Sequence, residues 1–269
     1  MTSVRTVIVL AGALTLGVLA VTPGAAAATA PATRKLTTDR PDATESPYTV
    51  EPGHMQLEMD FANYSRNRQS GTRAAAWEAA PFNLRFGLAP DFEAGFFVIP
   101  FRRETETPPA GPGTTRSGFG DLTLRTKLNL WGNDGGSTAF GVIADLKLPN
   151  GSGGLGNGKF EGALRFPLAF SFGGGWSGGA MTSLATVHDG ISYQEVWENT
   201  LTAGHDLSAN VGGFLELTSS TGDGAHVATF NSGLTWSLGR DTQFDCGINV
   251  GLSRRAPDVG LFSGLSQRF

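Results

Sequence analysis

The feature that most restricts the fold is a long alternation of apolar and polar residues, which dominates the chain after residue 54. In the segment MQLEMDF, every second residue is apolar, from Met55 to Phe61. A period of two places successive side chains on opposite faces of a β-strand. Several runs keep this pattern for about ten residues, whereas strands of soluble domains are mostly about 5–6 residues long. About ten residues is the length that a tilted strand needs to cross a bilayer.

The alternation continues through twelve segments, and bacterial single-chain barrels have an even number of strands. We predict strands at 54–64, 74–86, 91–102, 118–131, 137–148, 159–172, 176–187, 192–204, 209–219, 226–238, 242–253 and 258–269. Every second connection is a tight turn such as GNDGG, and the others include longer loops such as RRETETPPAGPGTTRS. Short turns on one side and long loops on the other are typical of outer-membrane barrels. The sequence therefore predicts an all-β fold, a transmembrane antiparallel up-and-down β-barrel of about 12 strands.

The two faces of such a barrel have different surroundings. In hydrocarbon, every backbone donor and acceptor must be paired internally, so the sheet has to close, with its apolar face toward lipid. The opposite face carries charged residues that we predict to line the lumen: Glu58, Arg85, Asp121, Arg125, Lys127, Asp145, Lys147, Glu161 and Arg165. This mixture of charges fits either a polar conduit or a network that neutralises itself and fills a non-conducting barrel. Twelve strands predict a narrow pore.

The register of two neighbouring strands can be predicted from the GNDGG turn between them. A symmetric hairpin places Asp121 opposite Lys147 and Thr123 opposite Asp145, with Arg125 diagonal to Asp145. Three tryptophans lie beside short turns, at positions 131, 176 and 236. They predict an aromatic girdle on the periplasmic side, although ordinary core tryptophans are the alternative.

The chain divides into three predicted parts. Residues 1–30 resemble a cleavable signal peptide: Arg5 precedes the apolar run VIVLAGALTLGVLAV and the small-residue stretch PGAAAATA. An uncleaved anchor is the alternative, but the apolar run is shorter than the roughly 20 residues of a spanning helix. We predict a periplasmic N-terminal segment at 31–52 and an outer-membrane β-barrel at 53–269.

Within the N-terminal segment, the stretch TTDRPDATESPYTV places Asp39, Arg40, Asp42 and Glu45 close together. The three carboxylates could form a cation site, an acidic catalytic cluster or a solvated approach to the barrel. Prolines keep the stretch out of a strand ladder, and no partner with ligand spacing appears elsewhere. We predict a structured segment at the periplasmic mouth that could act as a gate. Its acids would be exposed, or paired with Arg40 and with basic lumen residues.

Other candidate chemistry is weaker. The glycine-rich GSGGLG at 151–156 is followed by a predicted strand, whereas a dinucleotide site requires a helix there. The pairs His188–Asp189 and His205–Asp206 would point to opposite faces of a strand, and no serine lies in a nucleophile elbow. We predict no enzymatic activity, cofactor or metal site, and a packed thiol at Cys246. A net charge of −4 without a basic block argues against nucleic-acid binding.

Four stretches resemble one family: TDRPDATESPYTVEPGHMQLEMDF (38–61), GFGDLTLRTKLNLWGND (118–134), LKLPNGSGGLGNG (146–158) and the final SGLSQRF. They are similar to the family named for the MetA pathway of phenol degradation, whose members are described as outer-membrane transporters. The resemblance covers nearly all of the mature chain and implies transport of aromatic or other small organic compounds. It assigns no catalytic or ligand residues. Phe269, at the end of an alternating strand, resembles the signal read by the barrel-assembly machinery, although Gln267 departs from that pattern.

The sequence thus predicts a monomeric outer-membrane channel or transporter for small solutes. Its expected partners are the lipid bilayer, the barrel-assembly machinery and small-molecule solutes. One alternative is a non-conducting barrel whose outer loops bind a ligand or partner. A second is a barrel lipid hydrolase, which needs a serine beside a histidine on the outer face. A soluble secreted sandwich is the structural rival.

Overall fold

The computed structural model describes residues 33–269, so the predicted signal peptide at 1–30 lies outside the described residues. This part of the chain forms fifteen strand segments: β1 (Met55–Gln69), β2 (Thr72–Ala79), β3 (Phe82–Ala89), β4 (Phe92–Val98), β5 (Phe101–Thr107), β6 (Thr114–Gly118), β7 (Thr123–Trp131), β8 (Thr138–Lys147), β9 (Glu161–Gly173), β10 (Trp176–His188), β11 (Tyr193–Asp206), β12 (Val211–Gly222), β13 (Ala225–Leu238), β14 (Thr242–Gly251) and β15 (Val259–Arg268). Within residues 33–269, no helix is long and apolar enough to cross a membrane.

The fifteen segments make twelve strands, because three strands are interrupted. β2 and β3 are halves of one strand, as are β4 and β5, and β6 and β7; β1 pairs with β2 along one half and with β3 along the other. The breaks at 80–81 and 99–100 each contain a proline, which has no N–H to donate to the ladder. β1 pairs with β15, so the antiparallel sheet closes on itself. The predicted twelve-stranded antiparallel barrel is confirmed.

We name the two ends of the barrel by the connections that lie there. The turn end carries short connections, which include residues 90–91, 174–175 and 207–210. The loop end carries the longer connections at residues 108–113, 148–160 and 252–258. The predicted loop at 102–117 is wrong over most of its length, because β5 and β6 continue into it and leave only 108–113 outside the sheet. Both faces are polar there, so the apolar alternation disappears. The ladder is instead supported by inward ion pairs such as Arg102–Glu78, at 3.2 Å.

The predicted register between β7 and β8 is off by two residues. Thr123 lies opposite Lys147, and Arg125 lies directly opposite Asp145 rather than diagonal to it. The hairpin connection spans 132–137, and the register shifts between Asn129 and Trp131. An extra residue of this kind is a β-bulge, which a symmetric turn cannot anticipate. The predicted and observed registers differ by two residues, and an even shift leaves each side chain on the same face of the sheet.

The outer surface of the barrel is apolar at mid-height and aromatic toward both ends. Leu201, Leu215 and Leu217 are more than half exposed. Trp131, Trp176 and Trp236 lie at the turn end with exposed indoles. A second aromatic belt, which the sequence did not predict, lies toward the loop end and contains Tyr64, Trp77, Phe101, Tyr193 and Trp197. Two aromatic belts that flank an apolar band are typical of membrane-spanning barrels.

We predict that cysteines at Met59 and Leu265 form a disulfide in a Cys246→Ser background. These residues are cross-strand partners in the β1–β15 ladder. Directly opposed residues have Cα atoms about 4.5–5.5 Å apart, within disulfide range. Mild oxidation of the folded protein should therefore change its mobility on a non-reducing gel. The control pairs Met59→Cys with Leu217→Cys on β12, which should stay reduced; equal cross-linking of both pairs would contradict the closed barrel.

Candidate functional site

The interior wall at the turn end carries a tightly packed charge cluster. Glu58 on β1, Arg85 on β3, Glu93 on β4 and Lys127 on β7 are each at most 2% exposed. Arg85 Nη1 donates to Glu58 Oε1 at 2.5 Å, and Arg85 Nε donates to Glu93 Oε1 at 2.8 Å. Charges buried away from water are stable only when paired and hydrogen-bonded. We call these four residues the Arg85 cluster.

Two further ion-pair groups continue from the Arg85 cluster toward the loop end. Arg125 donates to both carboxylate oxygens of Asp145, at 2.7 and 2.9 Å, and Arg165 reaches the same carboxylate at 3.0 Å. Lys147 Nζ lies 2.8 Å from Asp121 and 3.1 Å from Glu161. The nine charged residues that the sequence placed on the lumen side therefore form three neighbouring groups in the structure.

Four further buried acids, which were not predicted from the sequence, lie on the same inner face: Asp60, Glu93, Glu216 and Asp245. Each has the inward parity of its strand, so the alternation that identified Glu58 could also have found them. What the alternation could not show is their shared partner. All four bind the stretch of chain that precedes β1.

That stretch, residues 34–52, lies inside the barrel, and we call it the luminal segment. Its Asp39 carboxylate accepts from Lys127 Nζ at 2.5 Å and lies 3.4 Å from Arg85 Nη1. The Asp39 backbone N–H donates to Glu58 Oε2 at 3.0 Å. Asp39 thus supplies a carboxylate to the Arg85 cluster, in which Arg85 and Lys127 are the two cations.

Arg40 connects the luminal segment to a different part of the wall. Its Nη1 donates to Asp60 on β1 at 2.6 Å, and its Nη2 donates to Asp245 on β14 at 2.5 Å. The Asp245 side chain is fully buried. Because the guanidinium is planar and has several donors, one arginine can hold two carboxylates at once.

The next residues of the luminal segment reach across the lumen. The backbone N–H of Thr44 donates to Glu216 on β12 at 2.7 Å, and the Thr44 hydroxyl lies 2.7 Å from that of Thr200 on β11. On the other side, Glu45 pairs with Arg125 at 2.7 Å. The segment is therefore fixed to β11 and β12 as well as to β7.

Its last part returns to the Arg85 cluster. Arg85 Nη2 donates to the backbone oxygen of Tyr48 at 3.0 Å, and the N–H of Val50 donates to Glu93 Oε2 at 2.7 Å. Wall side chains thus take the place of a strand partner for a proline-rich segment that cannot join a ladder. The luminal segment is held on several sides of the barrel.

This placement differs from the prediction for Asp39, Arg40, Asp42 and Glu45. The sequence put the segment at the mouth, whereas the structure puts it inside the barrel. Asp39 and Glu45 pair with basic wall residues, but Arg40 pairs with wall carboxylates rather than with the acids beside it in the sequence. Across residues 33–269, no group of three or more His, Cys, Asp or Glu side chains is arranged to hold a metal ion.

The two aspartates of the luminal segment have opposite electrostatic surroundings. Burial favours the neutral form of Asp39, but the charges of Arg85 and Lys127 outweigh burial and lower its pKa to about 2. Asp42 has no such cation. Burial and the nearby Glu216 carboxylate raise the pKa of Asp42 to about 8. At neutral pH, Asp39 is held charged and Asp42 is held mostly neutral.

The luminal segment leaves part of the lumen open. A cavity of about 680 Å³ lies between the segment and the wall formed by β9 to β13. Asp42 lies on the segment side of this cavity. On the wall side, most lining residues are small and neutral, with two phenylalanines, and His205 and Asp206 lie at the turn end. The small neutral residues include Gly179, Thr202, Gly204, Gly212 and Thr235, and the phenylalanines are Phe170 and Phe214. The lumen is therefore densely charged beside β1, β3, β4 and β7, and it has space beside β9 to β13, where Glu216 is the buried acid that binds the segment.

The two His–Asp pairs are separated by the length of the barrel. His188 lies at the loop end of β10, and its Nδ1 accepts from the N–H of Gly190 at 3.0 Å. His205 lies at the turn end of β11, with its ring stacked on Trp176 at a centroid distance of 4.3 Å. Cys246 is half-buried in β14.

Residues 38–269 match the model of the family described as "Putative MetA-pathway of phenol degradation". The chain belongs to this family. The predicted resemblance is thereby confirmed over the barrel and nearly all of the luminal segment. No curated protein sequence matches the chain.

Solved structures share the fold at low sequence identity. The COG4313 outer membrane channel from Pseudomonas putida F1 matches with a TM-score of 0.63 and 15% identity, covering 82% of this chain and 98% of that one. The β domain of the Bordetella autotransporter BrkA matches with a TM-score of 0.53 and 11% identity, covering 81% and 100%. The NanC porin matches with a TM-score of 0.51 and 10% identity, covering 78% and 98%.

We predict that Arg85→Met strongly destabilises the barrel. The substitution keeps an unbranched side chain but leaves Glu58 and Glu93 buried without their main cation, which costs about 3–5 kcal/mol. Tryptophan fluorescence during urea unfolding of the purified protein would measure the loss. The matched control is Arg116→Met, which removes an exposed pair with Glu104 and should cost less than about 1 kcal/mol. Equal effects of the two variants would contradict the assignment.

Proposed function

We propose that this protein is an outer-membrane channel for small solutes, in which the luminal segment acts as the gate. The observation that carries the proposal is that residues 34–52 lie across the lumen and are bound to β1, β7, β12 and β14. In this assignment the turn end faces the periplasm and the loop end faces the outside. The proposed role includes no catalytic step.

A membrane location is supported by the surface of the barrel. A closed sheet leaves no unpaired edge, and an apolar band between two aromatic belts matches the profile of a bilayer. The fold is also that of the COG4313 outer membrane channel. We therefore assign the protein to the outer membrane.

The proposed solutes are small organic molecules, including aromatic compounds. The family description refers to phenol degradation, and the lumen has a cavity of about 680 Å³ beside β9 to β13. Cavities of about 300–1,000 Å³ are typical of small-molecule sites. The phenyl ring of Phe214 and the hydroxyls of Thr202 and Thr235 give this cavity both apolar and polar contacts.

Gating by the luminal segment has a clear energetic basis. The segment is held by ion pairs and hydrogen bonds rather than by a hydrophobic core, so its charges and those of the wall can be rehydrated when it leaves. Two states whose difference in free energy is a few kcal/mol can interconvert, and the equilibrium can be biased by a solute. The open lumen would then present charges that set selectivity.

We predict that a disulfide between the luminal segment and the wall closes the channel. Thr44→Cys and Thr200→Cys, in a Cys246→Ser background, replace two hydroxyls 2.7 Å apart. Under oxidising conditions the segment cannot leave, so conductance in planar bilayers and solute uptake by proteoliposomes should fall to background. Reductant should restore both. The double variant kept reduced throughout is the control.

Deletion of residues 31–52 separates gating from a barrel that never conducts. If the segment is the gate, the shortened protein should conduct continuously and the disulfide variant only after reduction. Conductance unaffected by oxidation would overturn the gate but leave the channel intact. Absence of conductance and uptake in all variants would overturn the channel and favour a non-conducting barrel with ligand-binding outer loops.

We predict that alkaline pH favours the open state through Asp42. A docked Asp42 with a pKa of about 8 retains its proton at pH 6, whereas in a released, hydrated segment its pKa would return to the ordinary aspartate value of about 3.8. The docked state thus binds more protons, and docking weakens as the pH rises from about 4 to about 8. Open probability in bilayers should increase between pH 6 and pH 9. Asp42→Asn should make the open probability nearly independent of pH over this range. If this variant shows the same pH dependence as the wild type, the role of Asp42 is contradicted.

A further inference from the structure

The outer face of the barrel carries a concentrated group of arginines at the loop end. Arg66 and Arg68 lie on β1, Arg73 on β2 and Arg103 on β5; Arg254 and Arg255 lie in the connection between β14 and β15. All six side chains are exposed. We call these six residues the arginine patch. Within residues 33–269, none of the six side chains has an ion-pair or hydrogen-bond partner.

The strand register shows that the patch is continuous. Arg68 is directly opposite Arg73, and Arg66 is opposite Val259, the first residue after the connection that carries Arg254 and Arg255. Arg103 is opposite Trp77 in the next ladder. Neighbouring strands lie about 4.8 Å apart. The patch therefore covers consecutive strands on one side of the barrel.

The patch has a defined height relative to the aromatic belt at the loop end. Tyr64 is paired with Trp77, and the Trp77 ring meets Phe101 at 5.6 Å. Along β1, Arg66 and Arg68 follow Tyr64 on the same face, one and two steps nearer the loop end. Aromatic belts mark the level of lipid headgroups. The arginines thus begin where the headgroups begin and extend away from the hydrocarbon.

Such an arrangement is unfavourable for the protein alone. Like charges directly opposite each other on neighbouring strands destabilise a sheet, and Arg68 and Arg73 form such a pair. The 252–258 connection contains one acid, Asp258, and a single negative charge cannot neutralise six cations. The neighbouring Glu104 is on the inner face and pairs with Arg102 and Arg116. On the opposite wall, outward charges at this end are acidic, as at Glu195. The basic character is confined to one side.

We infer that the arginine patch binds the phosphorylated headgroup of a lipid in the outer leaflet. Guanidinium groups bind phosphate oxygens through paired hydrogen bonds, and clusters of basic residues beside a membrane recognise anionic headgroups. The acyl chains of the lipid would lie against the apolar band of the barrel. The rings of Tyr64, Trp77 and Phe101 would contact the lipid at the level where its headgroup joins its acyl chains. The inference rests on the proposed membrane location but not on conduction.

Binding can be tested on the purified, folded barrel in detergent without divalent cations. The probe is lipid A with its phosphates intact, and the readouts are native mass spectrometry and the shift in unfolding temperature. Each interfacial arginine contributes about a fivefold change in affinity, so Arg68→Gln with Arg73→Gln should weaken binding about 25-fold. Lys35→Gln with Lys159→Gln is the matched control, because it removes the same charge away from the patch and should leave binding unchanged.

Two further arms identify the chemistry. Lipid A stripped of its phosphates should bind wild-type protein no better than it binds the arginine double variant. Inorganic phosphate at the same concentration should not raise the unfolding temperature. In lipid-free detergent, the double variant should be at least as stable as wild type because the repulsion between Arg68 and Arg73 is removed.

Equal affinity of both double variants for lipid A would overturn the inference, as would equal binding of the dephosphorylated lipid. An equal effect of inorganic phosphate would also overturn it, since the patch would then be a site for a free ion. None of these outcomes depends on conductance, so failure here is distinguishable from failure of the channel.

Discussion

The pairing of β1 with β15 is the constraint on which the rest of the structure depends. It runs from Gln56 opposite Arg268 to Arg66 opposite Val259 and converts an open sheet into a closed one. In an apolar medium, an unpaired row of backbone N–H and C=O groups would be prohibitively costly, so closure allows the outer face to be apolar at mid-height. Closure also turns every inward side chain toward a shared interior. There, charges have only each other, the luminal segment and any enclosed water as partners.

That enclosure explains the ionic interior. Taking charges out of water is expensive, and a buried pair recovers the cost only with good geometry and additional hydrogen bonds. The wall alone does not supply them all. Asp39 adds a carboxylate beside Arg85 and Lys127, and Arg40 adds a cation for Asp60 and Asp245. The luminal segment and the wall are therefore electrostatic complements. An apolar segment of similar volume would also fill the space, but its exposure on leaving would be more costly.

The two sides of the lumen differ in a way that follows from side-chain size. The strands that bind Asp39 and Glu45 present long charged side chains, whereas β10 to β13 present mainly glycine, serine and threonine. Long paired side chains fill the lumen beside β1, β3, β4 and β7, whereas the short side chains of β10 to β13 leave a cavity and bind the segment mainly through Glu216 and Thr200. A similar asymmetry exists outside, where the arginine patch lies on one side of the barrel. Each asymmetry arises from which residues occupy a few positions of an otherwise regular alternation.

By itself, the sequence determined the strand period, the number of strands and the family, because these depend on local order along the chain. Strand lengths were harder to predict from the sequence, because β5 and β6 extend beyond the apolar band, where apolar and polar residues no longer alternate. Only the tertiary structure decided the register of β7 with β8 and the position of the luminal segment. Arg40 and Asp245 are 205 residues apart in the chain, and no local pattern links them. Their contact exists because closure of the barrel pairs β15 with β1, so that β14, the next strand, faces the lumen that the segment enters.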